Sequence, residues 1–336
     1  MFKRWQFWAG LAVSAIFVWL ALRGLKLEEV LADLRSANYA WLLPGVLVYF
    51  CAVAVRTWRW HYLLKPLKSI SVRDLFPVVV IGYMGNNIYP ARAGELLRAY
   101  VLKRNEQVSV SASLATVIVE RIFDGLVMLL FVFVTLPSAS FLPDTLRSIV
   151  VFGSLIFFSA LIIFLFLAAR PILAARIYNP LINRVLPQRF RERARGFLTR
   201  FIDGLASLRD FRSVLMVFLT SILIWVLETV KYWFVMHAFA FEVSFFALML
   251  MNGVVNLATT LPAAPGYIGT FDAPGIAVLV AFGVDASLAA GYTLVLHAAL
   301  WLPITLLGLV FMARESVRWS DFAEAAHLKD AGVTTR

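Results

Sequence analysis

The 336-residue sequence has little of what soluble or catalytic proteins usually display. It has one cysteine, Cys51, so no disulfide can form within one chain. Its four histidines are widely spaced and offer no zinc-binding pattern; no P-loop, dinucleotide-binding glycine fingerprint or nucleophile elbow appears. The expectation is a non-enzyme without metal or cofactor. Charged residues are 15% of the chain, against about 25% in soluble domains. A chain so short of polar surface cannot cover a water-facing globule.

Hydrophobic residues are abundant instead, at 61%, and the sequence reads as an all-α polytopic membrane protein. A bilayer core about 30 Å thick needs about 20 apolar residues per helix. Six runs of that size stand out: Trp5–Leu22, Trp41 to about Trp58, and about 110–136, 146–169, 214–241 and 287–313. The first is read as a retained span rather than a signal peptide, because Arg23 stands where a small-residue cleavage motif belongs. Two further apolar stretches, about 75–101 and 245–282, are interrupted by Pro and Gly. They read as re-entrant hairpins of broken helix that enter and leave on one side.

Lysine and arginine number 31 against 20 acidic residues, a formal net charge of +11. In a soluble protein that excess would suggest nucleic acid. Here it follows the positive-inside rule. With both hairpins re-entrant and the termini cytoplasmic, the outer loops hold only Arg23, Lys26, Arg35 and Arg147, while Arg121 and Lys231 lie within spans. Every other cation falls on the cytoplasmic side, so nucleic acid is not an expected partner. The segment 170–212 interleaves Arg189, Arg191, Arg193, Arg195 and Arg200 with Phe190, Phe197, Leu198 and Phe201. It reads equally as an amphipathic helix on the inner leaflet or a solvated connector. Residues 314–336 read as a cytoplasmic tail.

A weak internal repeat organises the rest. Pro90-Ala91-Arg92-Ala93-Gly94 matches Pro262-Ala263-Ala264-Pro265-Gly266 at an offset of 172, and the same offset carries Arg56 onto Glu228 and Arg59 onto Lys231. The topology makes the two units, about 5–136 and 145–313, inverted repeats within a single domain, 1–313. Paired broken helices in inverted repeats place transporter binding sites near the bilayer midplane. Pro90, Gly94, Pro262, Pro265, Gly266 and Gly269 are the expected hinge and broken-helix residues.

Charges within spans cost a few kcal/mol each and mark functional candidates. Glu120, Arg121 and Asp124 form the densest cluster, either an ion-pair lock between helices or a substrate or proton site. Glu228 and Lys231 form a second i, i+3 pair, while His237 and His297 read as packed or hydrogen-bonded. In the first hairpin Asn86 and Asn87 precede the break and Glu95 begins the following helix. Arg92 and Arg98 suit a lipid phosphate or snorkel to the surface.

Three motifs together resemble the lysylphosphatidylglycerol synthase transmembrane family, often called flippase-like. They are Asn87-x-x-Pro-x-x-x-Gly-Glu-x-x-Arg98, Glu120-Arg121-x-x-Asp124, and Leu261-Pro262-x-x-Pro265-Gly266-x-x-Gly269 followed by Asp272. Asp272 stands where the family pattern leads one to expect glutamate. The resemblance covers about residues 5–313 and implies a multi-pass protein of a bacterial or archaeal cytoplasmic membrane that moves a polar-headed lipid between leaflets. The family's full-length synthases carry a soluble aminoacyl-transferase domain that is expected to be missing here. Aminoacylated phosphatidylglycerol, another phospholipid, a polyprenyl phosphate and a hopanoid all fit. The expected substrate-binding set is Arg56, Arg59, Asn86, Asn87, Arg92, Glu95, Arg98, Glu120, Arg121, Asp124, Glu228, Lys231 and Asp272. A non-transporting accessory partner of a lipid-modifying enzyme or glycosyltransferase is the alternative, and a homo-oligomer is a further possible assembly.

Overall fold

The computed structural model describes residues 5–23, 25–89, 92–135, 170–185, 187–261 and 264–315, together with Phe152, Leu155, Phe158, Ser159, Ile162 and Phe166. The described residues form helices and turns, with no strand among them. In chain order the helices are α1 (Trp5–Leu22), α2 (Leu27–Ser36), α3 (Leu42–Leu64), α4 (Val72–Ile88), α5 (Ala93–Glu106) and α6 (Val110–Thr135). They continue with α7 (Pro171–Val185), α8 (Gln188–Gly204), α9 (Phe211–Met236), α10 (Phe245–Ala258), α11 (Asp272–Ala281) and α12 (Ala286–Arg314).

Among the described residues, three segments are long and apolar enough to cross a bilayer: Tyr39–Leu64, Phe211–Met236 and Ala286–Arg314. The 26-residue α6 matches them in length but carries Glu120, Arg121 and Asp124 at its middle. The span expected at about 146–169 lies outside the described residues, apart from the six scattered ones, which are helical. Leu43, Leu47, Leu219, Leu223, Leu302 and Leu306 are exposed on these three segments, as lipid-facing side chains would be.

Both interrupted stretches divide where the sequence places the breaks. The first becomes α4 and α5, the second α10 and α11, and the two arms of each pack against one another. Serine caps start each unit: Ser71 Oγ accepts from the Asp74 N–H, and Ser244 Oγ accepts from the Ala247 N–H, both at 3.2 Å. Asp285 and Asp210 cap α12 and α9 in the same manner. The bond from the Ser213 backbone N–H holds the Asp210 carboxyl below its ordinary range.

Packing relations in the first half recur in the second. Helix α3 lies along α9, α4 rests on α12 as α10 rests on α6, and α5 meets α6 as α11 meets α12. Each broken hairpin therefore leans on the last long helix of the opposite half. This is the pattern that two similar units related by an approximate two-fold axis produce. The basic segment folds as α7 and α8, and α8 packs along α6 so closely that a Cβ on Gly204 would fall 2.5 Å from the Ala112 carbonyl oxygen.

Candidate functional site

Pro90, Ala91, Pro262 and Ala263 lie outside the described residues, so the breaks are defined by their flanks. Gly94 makes the tightest approach. A Cβ there would sit 1.9 Å from the Gly82 carbonyl oxygen and 2.5 Å from the Asn86 nitrogen, so only glycine lets the two arms of the first hairpin touch backbone to backbone. In the second break Gly266 takes φ +73°. Each break also holds a non-glycine residue in the left-handed region, Arg92 at φ 53° and Tyr267 at φ 60°, and the Arg92 guanidinium lies 5.9 Å from the Tyr267 ring centroid. Arg92 Nη2 further donates to the Thr259 carbonyl oxygen at 3.2 Å, joining the first break to the second.

Beside this junction runs a buried ion-pair network. Arg59 on α3 binds Asp124 on α6 with both terminal nitrogens, at 2.7 and 3.3 Å, and donates to Ser221 Oγ on α9 at 2.6 Å. The Trp225 indole donates to the same Asp124 oxygen at 3.0 Å. Arg98 on α5 reaches Glu120 at 2.5 Å and lies 4.2 Å from the centroid of the Trp60 ring. Arg56 donates to Glu228 Oε1 at 2.8 Å, and Lys231 bonds the other oxygen of Glu228. Asp124, Glu120 and Glu228 each lie within 4 Å of two cations, which offsets part of the desolvation cost of holding these charges away from water.

Arg121 is placed differently. Its Nε lies 2.8 Å from Glu95 Oε1, yet the groups are not aligned for a hydrogen bond, and both atoms are buried without one. Asn86 Oδ1 and Arg92 Nε are likewise buried and unpartnered. Arg121, Asn86 and Arg92 border a cavity of about 140 Å³ between the two breaks. Arg56 and Glu228 complete its charged wall. Tyr83, Trp225, Tyr267 and Trp301 line its aromatic side. A second cavity, of about 290 Å³, shares Arg92, Arg121, Trp225 and Asn256 with the first and continues past Gly125 and Met128 to Leu257 and the exposed Thr260.

The residues singled out in the sequence thus separate into three groups. Arg56, Asn86, Asn87, Arg92, Arg121, Glu228 and Gly266 border the first cavity. Glu95 and Asp124 border the second. Arg59, Arg98, Glu120 and Lys231 border neither and are held in ion pairs. Asp272 accepts from the Gly269 N–H and lies 2.8 Å from His297 Nδ1, and Pro265 opens the short turn that ends at Tyr267. Among the described residues no group of three His, Cys, Asp or Glu is arranged to hold a metal ion.

Sequence reasoning read His297 only as packed or hydrogen-bonded, which it is, and did not place it, Trp301, Asn256 or the aromatic wall at the cavity. Trp301 Nε1 donates to the Asn87 carbonyl oxygen at 3.3 Å, and Asn87 Nδ2 bonds Thr305 Oγ1 at 2.9 Å, so the last helix is tied to the tip of the first hairpin. Polar and aromatic side chains recurring within apolar runs, one turn apart, were the available signal.

Apolar helices of spanning length, folded around ion pairs that bare hydrocarbon would not tolerate, define an α-helical membrane protein of several spans. The particular lineage is plain from comparison. Residues 7–308 match the lysylphosphatidylglycerol synthase TM region, and the chain belongs to that family. A UPF0104 membrane protein of Methanothermobacter thermautotrophicus is 28% identical over 325 residues, 92% of each chain. A second, from Methanocaldococcus jannaschii, is 22% identical over 311 residues, 90% of this chain and 93% of that one. Glycosyltransferase AglD of Haloferax volcanii is 24% identical over 332 residues, 89% of this chain but 53% of its own length. No solved structure matches the chain.

Proposed function

We propose that the protein moves an anionic-headed lipid between the leaflets of a cytoplasmic membrane. The observation that carries this reading is the charge of the cavity between the breaks, where Arg56, Arg92 and Arg121 face Glu228, the one carboxylate among the described residues of the wall. A buried site with surplus guanidinium and unpartnered nitrogen donors suits a phosphate, which accepts from planar forks. At about 140 Å³ the space is comparable to an engineered cavity of about 150 Å³ that takes benzene, so it admits a head group and not a whole lipid. The adjoining cavity toward Leu257 and Thr260 offers the acyl chains a lateral way out between α6 and α10.

The repeated packing supports alternating access by two inverted units, each hairpin re-entrant and the two opening to opposite sides. On this reading both termini are cytoplasmic, following the distribution of Lys and Arg. The direct test is leaflet exchange of fluorescent phosphatidylglycerol in vesicles holding the purified protein. Exchange is expected for the anionic lipid and slower for phosphatidylcholine; no movement of any candidate lipid would remove the reading.

A second reading rests on one observation. Glycosyltransferase AglD carries a region similar to this chain within a protein about twice as long, so the membrane unit can serve an enzyme rather than transport. Stoichiometric co-purification of a lipid-modifying enzyme or glycosyltransferase, with tolerance of substitutions at Arg92 and Arg121, would favour it.

A further inference from the structure

His297, on the wall of the cavity, uses both ring nitrogens. Nε2 lies 2.7 Å from the Gly266 carbonyl oxygen and Nδ1 lies 2.8 Å from Asp272 Oδ1. Phe271 stacks on the ring at 4.5 Å, fixing its plane. A carbonyl oxygen only accepts, so the geometry requires hydrogen on Nε2. A second proton must then lie between Nδ1 and Oδ1, because a bare imidazole nitrogen and a carboxylate oxygen cannot both be acceptors at that distance. Asp272 Oδ2 takes no part, since it accepts from the Gly269 N–H at 2.8 Å. The pair thus holds one proton more than a carboxylate with a neutral imidazole, whichever atom carries it.

Losing that proton has a structural consequence. The ring keeps one N–H and faces two acceptors, so it must release either Gly266 or Asp272. Gly266 belongs to the second break, and one turn along α12 Trp301 holds the first break through the Asn87 carbonyl oxygen. The Trp301 ring also packs against Gly266, where an added Cβ would fall 2.9 Å from Nε1. Proton occupancy is therefore linked to the contact between α12 and the second break.

The charged groups facing His297 across the cavity are Arg56 from α3, Arg92 at the first break, Arg121 from α6 and Glu228 from α9. The phenols that face it are Tyr49, Tyr83, Tyr232 and Tyr267. Helices α1 and α10 contain no charged residue, and α11 contains Asp272 alone. Asp272 is thus the carboxylate bonded to the ring, and the facing wall carries net positive charge.

We propose that the Asp272–His297 pair is a proton-binding site coupled to the state of the second break, so that passage of an anionic lipid is tied to one proton bound and released there. The coupling rests on the lipid-translocation reading above; the proton site itself does not.

Two measurements separate them. In vesicles with fluorescent phosphatidylglycerol and a pH difference of about one unit, one proton per lipid sets a steady-state leaflet asymmetry of about tenfold. The asymmetry is expected to vanish in D272N, whose amide donates to Nδ1 permanently. A wild-type protein that exchanges lipid without asymmetry, or D272N with undiminished asymmetry, overturns the coupling. The second measurement is 15N NMR of labelled histidine, with His297 assigned by H297Q. The expected result is an Nε2–H ring whose protonation changes with pH and whose titration moves in D272N. A ring with bare Nε2, or one insensitive to pH between about 5 and 9, overturns the proton site. If no lipid moves at all, the translocation reading fails and the NMR result decides the proton site alone. If D272N does not fold, the wild-type asymmetry and titration decide.

Discussion

Arg56 and Glu228 stand 172 positions apart and form a buried ion pair at 2.8 Å. That separation equals the offset between the two Pro-Ala-x-x-Gly motifs. Equivalent positions of two repeats meet only where an axis relating them passes close by. On the proposed inverted-repeat reading the pair therefore lies close to the axis relating the two units, where α3 packs along α9.

Removing the Glu228 charge leaves Arg56 and Lys231, both buried, without a carboxylate between them. E228Q is expected to lose about 3–5 kcal/mol of stability, and K231M added to it should recover part of that loss. A thermal-unfolding double-mutant cycle in detergent measures both, and additive effects would show that Lys231 is not coupled to the Glu228 carboxylate.

The position of the breaks and the presence of intramembrane charge were legible in the sequence, because Pro, Gly and ionisable residues are conspicuous in apolar runs. Spacing also placed Arg121 within reach of Asp124, and the structure has them 3.6 Å apart. The division of labour among arginines was not legible. Arg56 and Arg59 share a helix face by i, i+3 spacing, yet one borders the cavity and the other is clamped by Asp124 and Ser221. What stands opposite a helix face is set by tertiary packing. His297 shows the same limit, since its partners lie 25 and 31 residues earlier, across the second break.

Arg92 borders both cavities and is only half-buried, so its loss should affect the lipid more than the fold. R92A is expected to slow exchange of phosphatidylglycerol by about tenfold or more, the worth of one charge-assisted hydrogen bond. Phosphatidylcholine exchange should change little. R92K keeps the charge without the planar fork and should fall between. Rates of dithionite quenching of labelled lipid give the comparison.

Two glycines separate close packing from helix propensity. G94A forces a methyl group into the Gly82 and Asn86 backbone and is expected to cost about 3 kcal/mol or more, reducing the yield of folded protein. Gly196, within α8, has only the flexible Arg200 side chain near its absent Cβ, so G196A should gain up to about 1 kcal/mol. Fluorescence-detected size exclusion after graded heating distinguishes them.

Topology can be read by labelling single cysteines in a C51S background. Cys51 is exposed on the apolar α3, so its loss should be neutral. A cysteine at Lys26 is expected to react with an impermeant maleimide from outside the cell, and one at Lys68 only after the membrane is opened. Labelling of both from the same side would contradict the proposed inverted arrangement.

Each hairpin rests on the last long helix of the opposite half, so neither half can close its own core. Peeling away one half strips the other of a packing partner along α6 or α12 as well as along the α3–α9 seam. Unfolding should consequently be all-or-none, with no half-folded species. In a single-molecule pulling experiment the two halves would yield together, as one force peak.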